Sequence, residues 1–322
     1  ERVSRPKTRA ILGLMRLNFL SVALIQNWME NIVINPALIP VFLRELLVER
    51  SLPREPEPDL VMDDPDQVAA YAQAGRIDGV MAASYLFHSA RISQTISGAK
   101  TVLDLGCGPA TQLGQIAQLN PDIRFTGIDL SPTMLSDAEK HIQTLGLKNV
   151  GFMQGDISTL EAIPDNSYDA VTSTMALHHL PRLDLLEETF KQVQRVLKPG
   201  GAIYLTDFGR LKSLKSVIFF AYMNASFQPH LFSLDYERSL RAAFLKEEFE
   251  LLTRQHLPSD AQVHATFKVP FLMIVKTPDR TLSDTIRSQI QTLYRSLTPR
   301  YRRDMDDMRR FFGLGGLRND PF

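Results

Sequence analysis

The sequence predicts an α/β protein built on a doubly wound, mostly parallel sheet of seven strands, with helices before and after it. Three observations support this fold class. Short apolar segments alternate with amphipathic helical segments between Ala99 and Thr277, as expected for buried parallel strands joined by helices. One of these strands leads directly into a glycine-containing turn and a helix, at Thr101–Thr111. The next strand ends on an acidic residue, Asp129, which is typical of nucleotide-binding units in such sheets.

Helices are predicted in residues 1–98, which would form a substrate cap or an assembly region before the sheet. Two or three helices are expected across residues 9–50, followed by a proline-rich, acidic and exposed linker at residues 52–65. The segment Ile11–Trp28 is strongly apolar, yet Arg16 interrupts it, and a membrane-spanning helix needs about 20 largely uninterrupted apolar residues. We therefore expect a buried or partner-covered helix and no integral span, with peripheral membrane contact left open.

The residues around the first turn indicate which ligand the sheet edge suits. Gly106 and Gly108 let the backbone turn tightly and approach a ligand that a Cβ would repel. A dinucleotide fingerprint would need a third glycine where Thr111 stands. Asp104 would repel a pyrophosphate but would suit an ammonium or a sulfonium. Asp129 lies 21 residues after Gly108 and can accept hydrogen bonds from ribose hydroxyls. The expected ligand has a ribose and a positive charge, without phosphates.

The rest of the chain completes the sheet and adds two further regions. Later elements are expected at Val150–Asp156, Tyr168–Leu177 and Ala202–Asp207 for strands, at Leu183–Leu197 for a helix, and at Gln262–Thr277 for a closing hairpin. Residues 99–278 would thus form one domain. An insertion at about 209–240 is rich in bulky apolar and aromatic residues. Residues 279–322 are predicted to be a helical extension whose alternating Arg and Asp residues face solvent or a dimer partner.

Composition argues against several functional classes. Lys and Arg together number 36, as do Asp and Glu, so no overall field attracts nucleic acid. Cys107 is the single cysteine, which excludes a disulfide framework and a thiolate zinc site. The histidines other than His178 and His179 show no metal-ligand spacing, so no metal is expected. No secretory signal is visible, and a cytoplasmic protein is predicted.

Five sequence motifs carry a resemblance to a known family. They are Asp104-Leu-Gly-Cys-Gly108, Asp129, Gly155-Asp156, Leu177-His-His-Leu180 and Leu197-Lys-Pro-Gly-Gly201. In order and spacing they resemble the motifs of class I S-adenosylmethionine-dependent methyltransferases, across about Ala99–Phe208. This resemblance implies a Rossmann-like fold and S-adenosylmethionine as cofactor. Ala110 stands where many members carry a third glycine, a departure that a helix start tolerates. A Rossmann-like domain that binds no adenosylmethionine is the alternative.

The resemblance also implies roles for individual residues. Cofactor contacts are expected from Asp104, Gly106, Cys107, Gly108, Asp129, Leu130, Met134, Asp156, Ile157 and Thr174. Substrate contacts are expected from Tyr85, His88, Phe208 and Tyr222. Turn capping is the alternative for Asp156, and a place in the core of the helical cap is the alternative for Tyr85 and His88.

His178, His179 and Asp207 are the candidate catalytic residues, because they lie near the edge where the methyl group should project. A base is useful only when the methyl acceptor must lose a proton. Adjacent histidines point in different directions, so at most one faces the substrate, and His178 is favoured. The alternative is that His178 bonds a backbone carbonyl and shapes its loop.

The predicted function is methyl transfer from S-adenosylmethionine to a small, largely hydrophobic metabolite by in-line displacement. Such a reaction depends on holding the acceptor atom about 3 Å from the methyl carbon. It requires no metal and no covalent intermediate. A non-catalytic adenosylmethionine-binding scaffold, and a methyltransferase that acts on a protein or peptide, remain alternatives. A homodimer is compatible with all three.

Overall fold

A seven-stranded sheet forms the centre of the structure, a computed structural model that describes residues 36–58, 74–75 and 79–322. Strands β1 to β7 span Thr101–Leu105, Arg124–Asp129, Val150–Gln154, Tyr168–Thr174, Leu197–Phe208, Gln262–Ala265 and Leu272–Lys276. Their order is β3-β2-β1-β4-β5-β7-β6. The pairs among β1 to β5 are parallel, whereas β7 runs antiparallel to both of its neighbours. This arrangement confirms the predicted fold class.

Helices pack on both faces of the sheet. The described helices α1 to α10 span Ile39–Leu47, Ala82–Thr95, Thr111–Leu119, Pro132–Thr144, Leu183–Val196, Leu214–Tyr222, His230–Ala242, Lys246–His256, Asp284–Ser296 and Pro299–Leu314. Successive strand side chains point to opposite faces, so Val102 and Leu103 belong to two different apolar clusters. Leu113 of α3 packs in the first cluster and Phe190 of α5 in the second. The sheet is therefore covered on both sides, which explains its continuous apolar strands.

The point where the strand order reverses fixes the position of a ligand site. Consecutive strands extend from β1 through β2 to β3 on one side, and β4 begins the other side. Ligands in open α/β sheets bind outside the carboxyl ends of the strands at such a point. A helix also begins there after β2, where the Ser131 hydroxyl accepts a hydrogen bond from Met134 N at 3.1 Å. These local signals place the site between β1 and its two neighbours.

The C-terminal extension is more firmly packed than its charge pattern suggested. It forms α9 and α10, and α10 packs on α2, where Phe312 stacks on Phe87 with ring centroids 5.3 Å apart. Phe312 and Met305 are both fully buried. The arginines and aspartates of α10 occupy the remaining faces, for example in the Arg310–Asp307 ion pair. One face of this helix thus closes the core.

The acidic, proline-rich segment is not a free linker where the structure describes it. Residues 51–58, hereafter the strap, lie against the insertion between β5 and β6 and the end of α7. Leu52 N donates to Leu211 O at 3.2 Å, and Glu55 N donates to Arg241 O at 3.1 Å. Residues 59–65 and the apolar segment Ile11–Trp28 lie outside the described residues. In the described part of the chain no helix combines the length and the hydropathy needed to cross a membrane.

Candidate functional site

The turn after β1 has a backbone that suits glycine. Gly106 and Gly108 have φ angles of 65° and 51°, in the left-handed region. A Cβ on Gly106 would collide with the side chain of Ala176. Cys107 lies between them, and burial raises the pKa of its thiol well above the usual value. All three residues line a cavity at the carboxyl edge of the sheet, with Cys107 as a small protonated side chain.

Asp129 is held in position by this turn and still faces the cavity. Its Oδ2 accepts a hydrogen bond from Gly108 N at 2.8 Å, and its Oδ1 accepts one from Ser131 N at 2.9 Å. A carboxylate offers about four lone-pair sites, so both oxygens can accept further bonds from a ligand. This geometry suits the two hydroxyls of a ribose.

The other predicted cofactor residues, with one exception, also line the cavity: Leu130, Met134, Asp156, Ile157 and Thr174. Asp156 additionally caps a turn, because its Oδ1 accepts hydrogen bonds from the backbone N and the hydroxyl of Ser158, both at 2.7 Å. The capping alternative thus describes one oxygen of Asp156. The other oxygen, Oδ2, belongs to a side chain that lines the cavity.

The exception is Asp104, which lies behind the turn. It is 3% exposed and accepts a hydrogen bond from the Thr172 hydroxyl at 2.7 Å. Burial raises the pKa of Asp104 to about 7, and the neighbouring charge of Asp129 adds to the effect. Asp104 is not among the residues that line the cavity. The expected direct contact with a cationic group is therefore not supported, because β1 ends before it reaches the cavity and the glycine turn separates the two.

Two of the four predicted substrate residues line the cavity, and two do not. Tyr85 and Phe208 face it. His88 lies one turn further along α2, over the face of the sheet, with Nδ1 2.9 Å from the Tyr204 hydroxyl. Burial lowers the pKa of His88 to about 3, and the charge of Arg91 acts in the same direction, so His88 is a neutral core residue. This is the alternative considered for it.

Tyr222 is also displaced from the cavity, because it packs against the core at the end of α6. The insertion reaches the cavity through α7 instead. One face of that helix contributes a row of lining residues, namely Phe232, Asp235, Tyr236 and Ser239. Phe232 and Tyr236 lie in tilted ring contact, with centroids 5.9 Å apart. The sequence had indicated the insertion but had selected the wrong helix within it.

His178 and Asp207 form a buried dyad at the acceptor end of the cavity. His178 Nδ1 lies 2.7 Å from Asp207 Oδ1, and the backbone N of His178 donates to Asp207 Oδ2 at 2.9 Å. Burial has the largest single influence on the pKa of His178 and lowers it, but the charge and hydrogen bond of Asp207 outweigh burial, so this pKa is raised. His178 lines the cavity and Asp207 does not. Asp207 is thus placed to orient the histidine and does not itself line the cavity.

The strap brings an unpredicted carboxylate to the same place. Glu57 Oε2 lies 2.7 Å from His179 Nδ1, and Glu57 Oε1 lies 3.9 Å from His178 Nε2. The Ser239 hydroxyl donates to Glu57 Oε1 at 2.8 Å. Burial alone would raise the pKa of Glu57, but the bond with His179 and the charges of both histidines lower it to about 2. Asp235 faces this group, and burial followed by the charge of Glu57 raises its pKa to about 6.

Glu57, His178 and His179 are of the residue types that bind metal ions, so their spacing must be compared with that of a metal centre. One ligand atom from each lies within 4.8 Å of the others. Ligands about 2.1 Å from a tetrahedral ion lie roughly 3.3 Å from each other. The Glu57–His179 distance of 2.7 Å is shorter and fits a hydrogen-bonded ion pair. The arrangement therefore favours acid–base chemistry over metal ligation.

Comparison with known proteins identifies the domain that carries this cavity. Residues 96–255 match a family model described as a methyltransferase domain. This segment belongs to the class I, S-adenosylmethionine-dependent methyltransferases. The match confirms the family and the cofactor class predicted from the motifs. The methyltransferase domain includes the glycine turn, Asp129 and the dyad, whereas the strap and Tyr85 lie before it.

Curated relatives of the methyltransferase domain share only part of their length with this chain. The fatty-acid O-methyltransferase of Mycolicibacterium smegmatis is 33% identical over 122 residues, which are 38% of this chain and 42% of that protein. The demethylmenaquinone methyltransferase of Geobacillus stearothermophilus is 36% identical over 103 residues, covering 32% and 42%. The sterol 24-C-methyltransferase of Aspergillus fumigatus is 35% identical over 118 residues, covering 36% and 29%. The chain thus spans less than half the length of these relatives.

A solved structure supports the fold independently. The plantazolicin methyltransferase BpumL, in complex with SAH, matches with a TM-score of 0.50 and 20% sequence identity, over 74% of this chain and 88% of that protein. At this identity the likeness concerns the fold of the methyltransferase domain alone.

Proposed function

We propose that the protein transfers a methyl group from S-adenosylmethionine to an oxygen or nitrogen of a small hydrophobic molecule, with His178 accepting the proton that the acceptor loses. One observation supports this most directly. A single cavity joins Asp129 and the glycine turn to the His178–Asp207 dyad, beneath the aromatic face of α7. The cavity thus brings together a carboxylate suited to ribose hydroxyls and an oriented histidine.

The composition of the cavity supports a hydrophobic acceptor. Apart from the dyad and the polar end formed by His179, Asp235 and Ser239, the acceptor side is lined by Met81, Tyr85, Leu180, Phe208, Phe232 and Tyr236. Such a lining suits an apolar or aromatic molecule, and the described residues that form it include no arginine or lysine to bind a polyanion. The names of the curated relatives, which mention a fatty acid, a sterol and demethylmenaquinone, point to hydrophobic acceptors as well.

The chain's own residues have separate tasks in this reaction. When bound, S-adenosylmethionine supplies a methyl carbon on a sulfonium, and the sulfur leaves with the bonding electron pair. Asp129 would hold the ribose, and Asp156 would hold the edge of the adenine ring. Asp207, bonded at Nδ1 of His178, leaves Nε2 as the ring nitrogen that takes the acceptor's proton. Aromatic side chains of α7 exclude water and hold the acceptor in line, which is where most of the rate enhancement arises.

Methyl transfer is tested with cofactor labelled at the methyl group and a panel of hydrophobic phenols, enols, carboxylic acids and amines, followed by mass spectrometry of small products. The proposal expects a labelled small molecule. Cofactor binding without any labelled product would favour the non-catalytic scaffold. Label found only in protein would favour a protein or peptide acceptor. The homodimer, the cytoplasmic location and the absence of nucleic-acid binding stay predictions.

A further inference from the structure

We propose that Glu57 is a positioning residue of the methyl-transfer site, delivered by the strap to the side of His178 opposite Asp207. This inference rests on the proposed function. It adds a second carboxylate to the dyad and assigns a role to a segment that lies before the methyltransferase domain.

The strap is fixed by one arginine that bridges two separate elements. Arg54 Nε donates to Ala242 O at the end of α7, at 2.7 Å, and its Nη1 donates to Pro181 O at 2.6 Å. Its Nη2 donates to the carbonyls of His178, at 3.0 Å, and Leu180, at 2.5 Å. Arg54 therefore ties the end of α7 to the loop that carries both histidines.

Further contacts make the attachment rigid near the site. The Arg54 guanidinium lies over the Phe244 ring, 3.8 Å from its centroid. On the outer side, Arg241 forms an ion pair with Glu55 at 2.6 Å. Glu57 follows two residues later and points inward to Ser239 and His179. The strap thus has a buried carboxylate, Glu57, and a solvent-exposed one, Glu55, only two positions apart.

The position of Glu57 gives it an electrostatic role. His178 is enclosed by Asp207 from β5 at its Nδ1 and by Glu57 from the strap, 3.9 Å from its Nε2. Asp235 of α7 also acts on it, the His179 ring lies beside it with centroids 4.2 Å apart, and the Arg54 guanidinium bonds the His178 carbonyl. When Nε2 accepts a proton, the imidazolium has a carboxylate on either side. The Glu57–His179 bond meanwhile fixes the orientation of the second ring.

The test compares Glu57→Gln with Glu55→Gln. Both remove one negative charge from the strap, but Glu55 is the outer carboxylate, with its side chain 56% exposed. Removing a charge this close to His178 lowers the pKa of the histidine by about one unit. The rise of kcat with pH should therefore move to lower pH by about one unit in Glu57→Gln, and the alkaline plateau should fall severalfold because a weaker base remains. Affinity for S-adenosylmethionine should stay close to that of Glu55→Gln.

A loss of rate in Glu57→Gln without a shift of the pH profile would reduce Glu57 to a structural contact and overturn the inference. So would activity that disappears in EDTA and returns with Zn²⁺, because the cluster would then be a metal centre. NMR titration of the His178 ring gives a readout that needs no turnover. If the wild type transferred no methyl group, the proposed function would fail, while a lowered His178 pKa in Glu57→Gln would still support the placement of Glu57.

Discussion

Replacing Asp129 by alanine tests the cofactor half of the site most directly. Asp129 serves two partners at once in this structure. Its two oxygens accept hydrogen bonds from the backbone N–H groups of Gly108 and Ser131, and the carboxylate also faces the cavity. Asp129→Ala therefore removes both the support of the turn and the acceptor for the ribose hydroxyls.

The two effects have different sizes and can be separated. Losing charge-assisted hydrogen bonds to the ribose costs about 1.5–3 kcal/mol of binding free energy, or roughly ten- to a hundredfold in Kd. The two backbone N–H groups lose their acceptor in the apo protein too, at about 1 kcal/mol each. Because Asp129 is half-buried, water can replace part of that bonding. The apo protein should therefore lose about 1–2 kcal/mol of unfolding free energy and remain folded.

Isothermal calorimetry with S-adenosylmethionine and thermal unfolding of the apo protein measure these two quantities. Asp137→Ala is the matched control, since Asp137 lies on the next helix, 40% exposed, and pairs only with Lys140 at the surface in the described contacts. Such a pair contributes little stability. An Asp129→Ala variant whose apo stability falls while its Kd stays within twofold of the control would refute the assignment of the ribose to this carboxylate.

Three further predictions concern the acceptor half. His178→Gln should lower kcat by about a hundredfold or more while leaving the Kd for S-adenosylmethionine unchanged, as steady-state kinetics and calorimetry will show. The pKa of His178 is raised, so its base form appears only as the pH rises through that value. kcat should therefore fall on the acid side at a pH above the ordinary histidine pKa, and a profile flat down to pH 5 would contradict this. Phe232→Ala should raise the KM of a hydrophobic acceptor roughly ten- to a hundredfold, because a lost aromatic contact costs about 1.5–3 kcal/mol, and an unchanged KM would place the acceptor elsewhere.

The cofactor half was predictable because its signals are local in sequence. Gly106, Gly108 and Asp129 follow directly from strands whose apolar runs are easy to recognise. Parallel strands bring their carboxyl ends to one edge, so these residues had to converge. Asp104 does not line the cavity. The sequence pattern also explains this, because Asp104 lies within the buried strand β1 and not in the turn that follows it.

The acceptor half was predictable only in part. Phe232, Asp235, Tyr236 and Ser239 follow the i, i+3, i+4, i+7 spacing of one helical face. That periodicity could have selected them over Tyr222. Glu57 had no such signal. The position of Glu57 depends on Arg54, which donates hydrogen bonds to four backbone carbonyls. Every residue has a backbone carbonyl, so the sequence does not indicate which ones Arg54 will bond.

Because the two halves of the site depend on different parts of the chain, a relative of the methyltransferase domain gives information about the cofactor half and much less about the substrate. The match to the methyltransferase family begins at Ile96, so Glu57, Met81 and Tyr85 lie outside it. Met81 and Tyr85 line the cavity together with α7 and the histidine loop, and Glu57 contacts both histidines of that loop. A relative that shares residues from 96 onward shares the cofactor half and the dyad, but it need not share the groups that shape the acceptor. The acceptor must therefore be found with the whole chain, because removing the strap removes the second carboxylate beside His178 and the Arg54 bonds that tie α7 to the histidine loop.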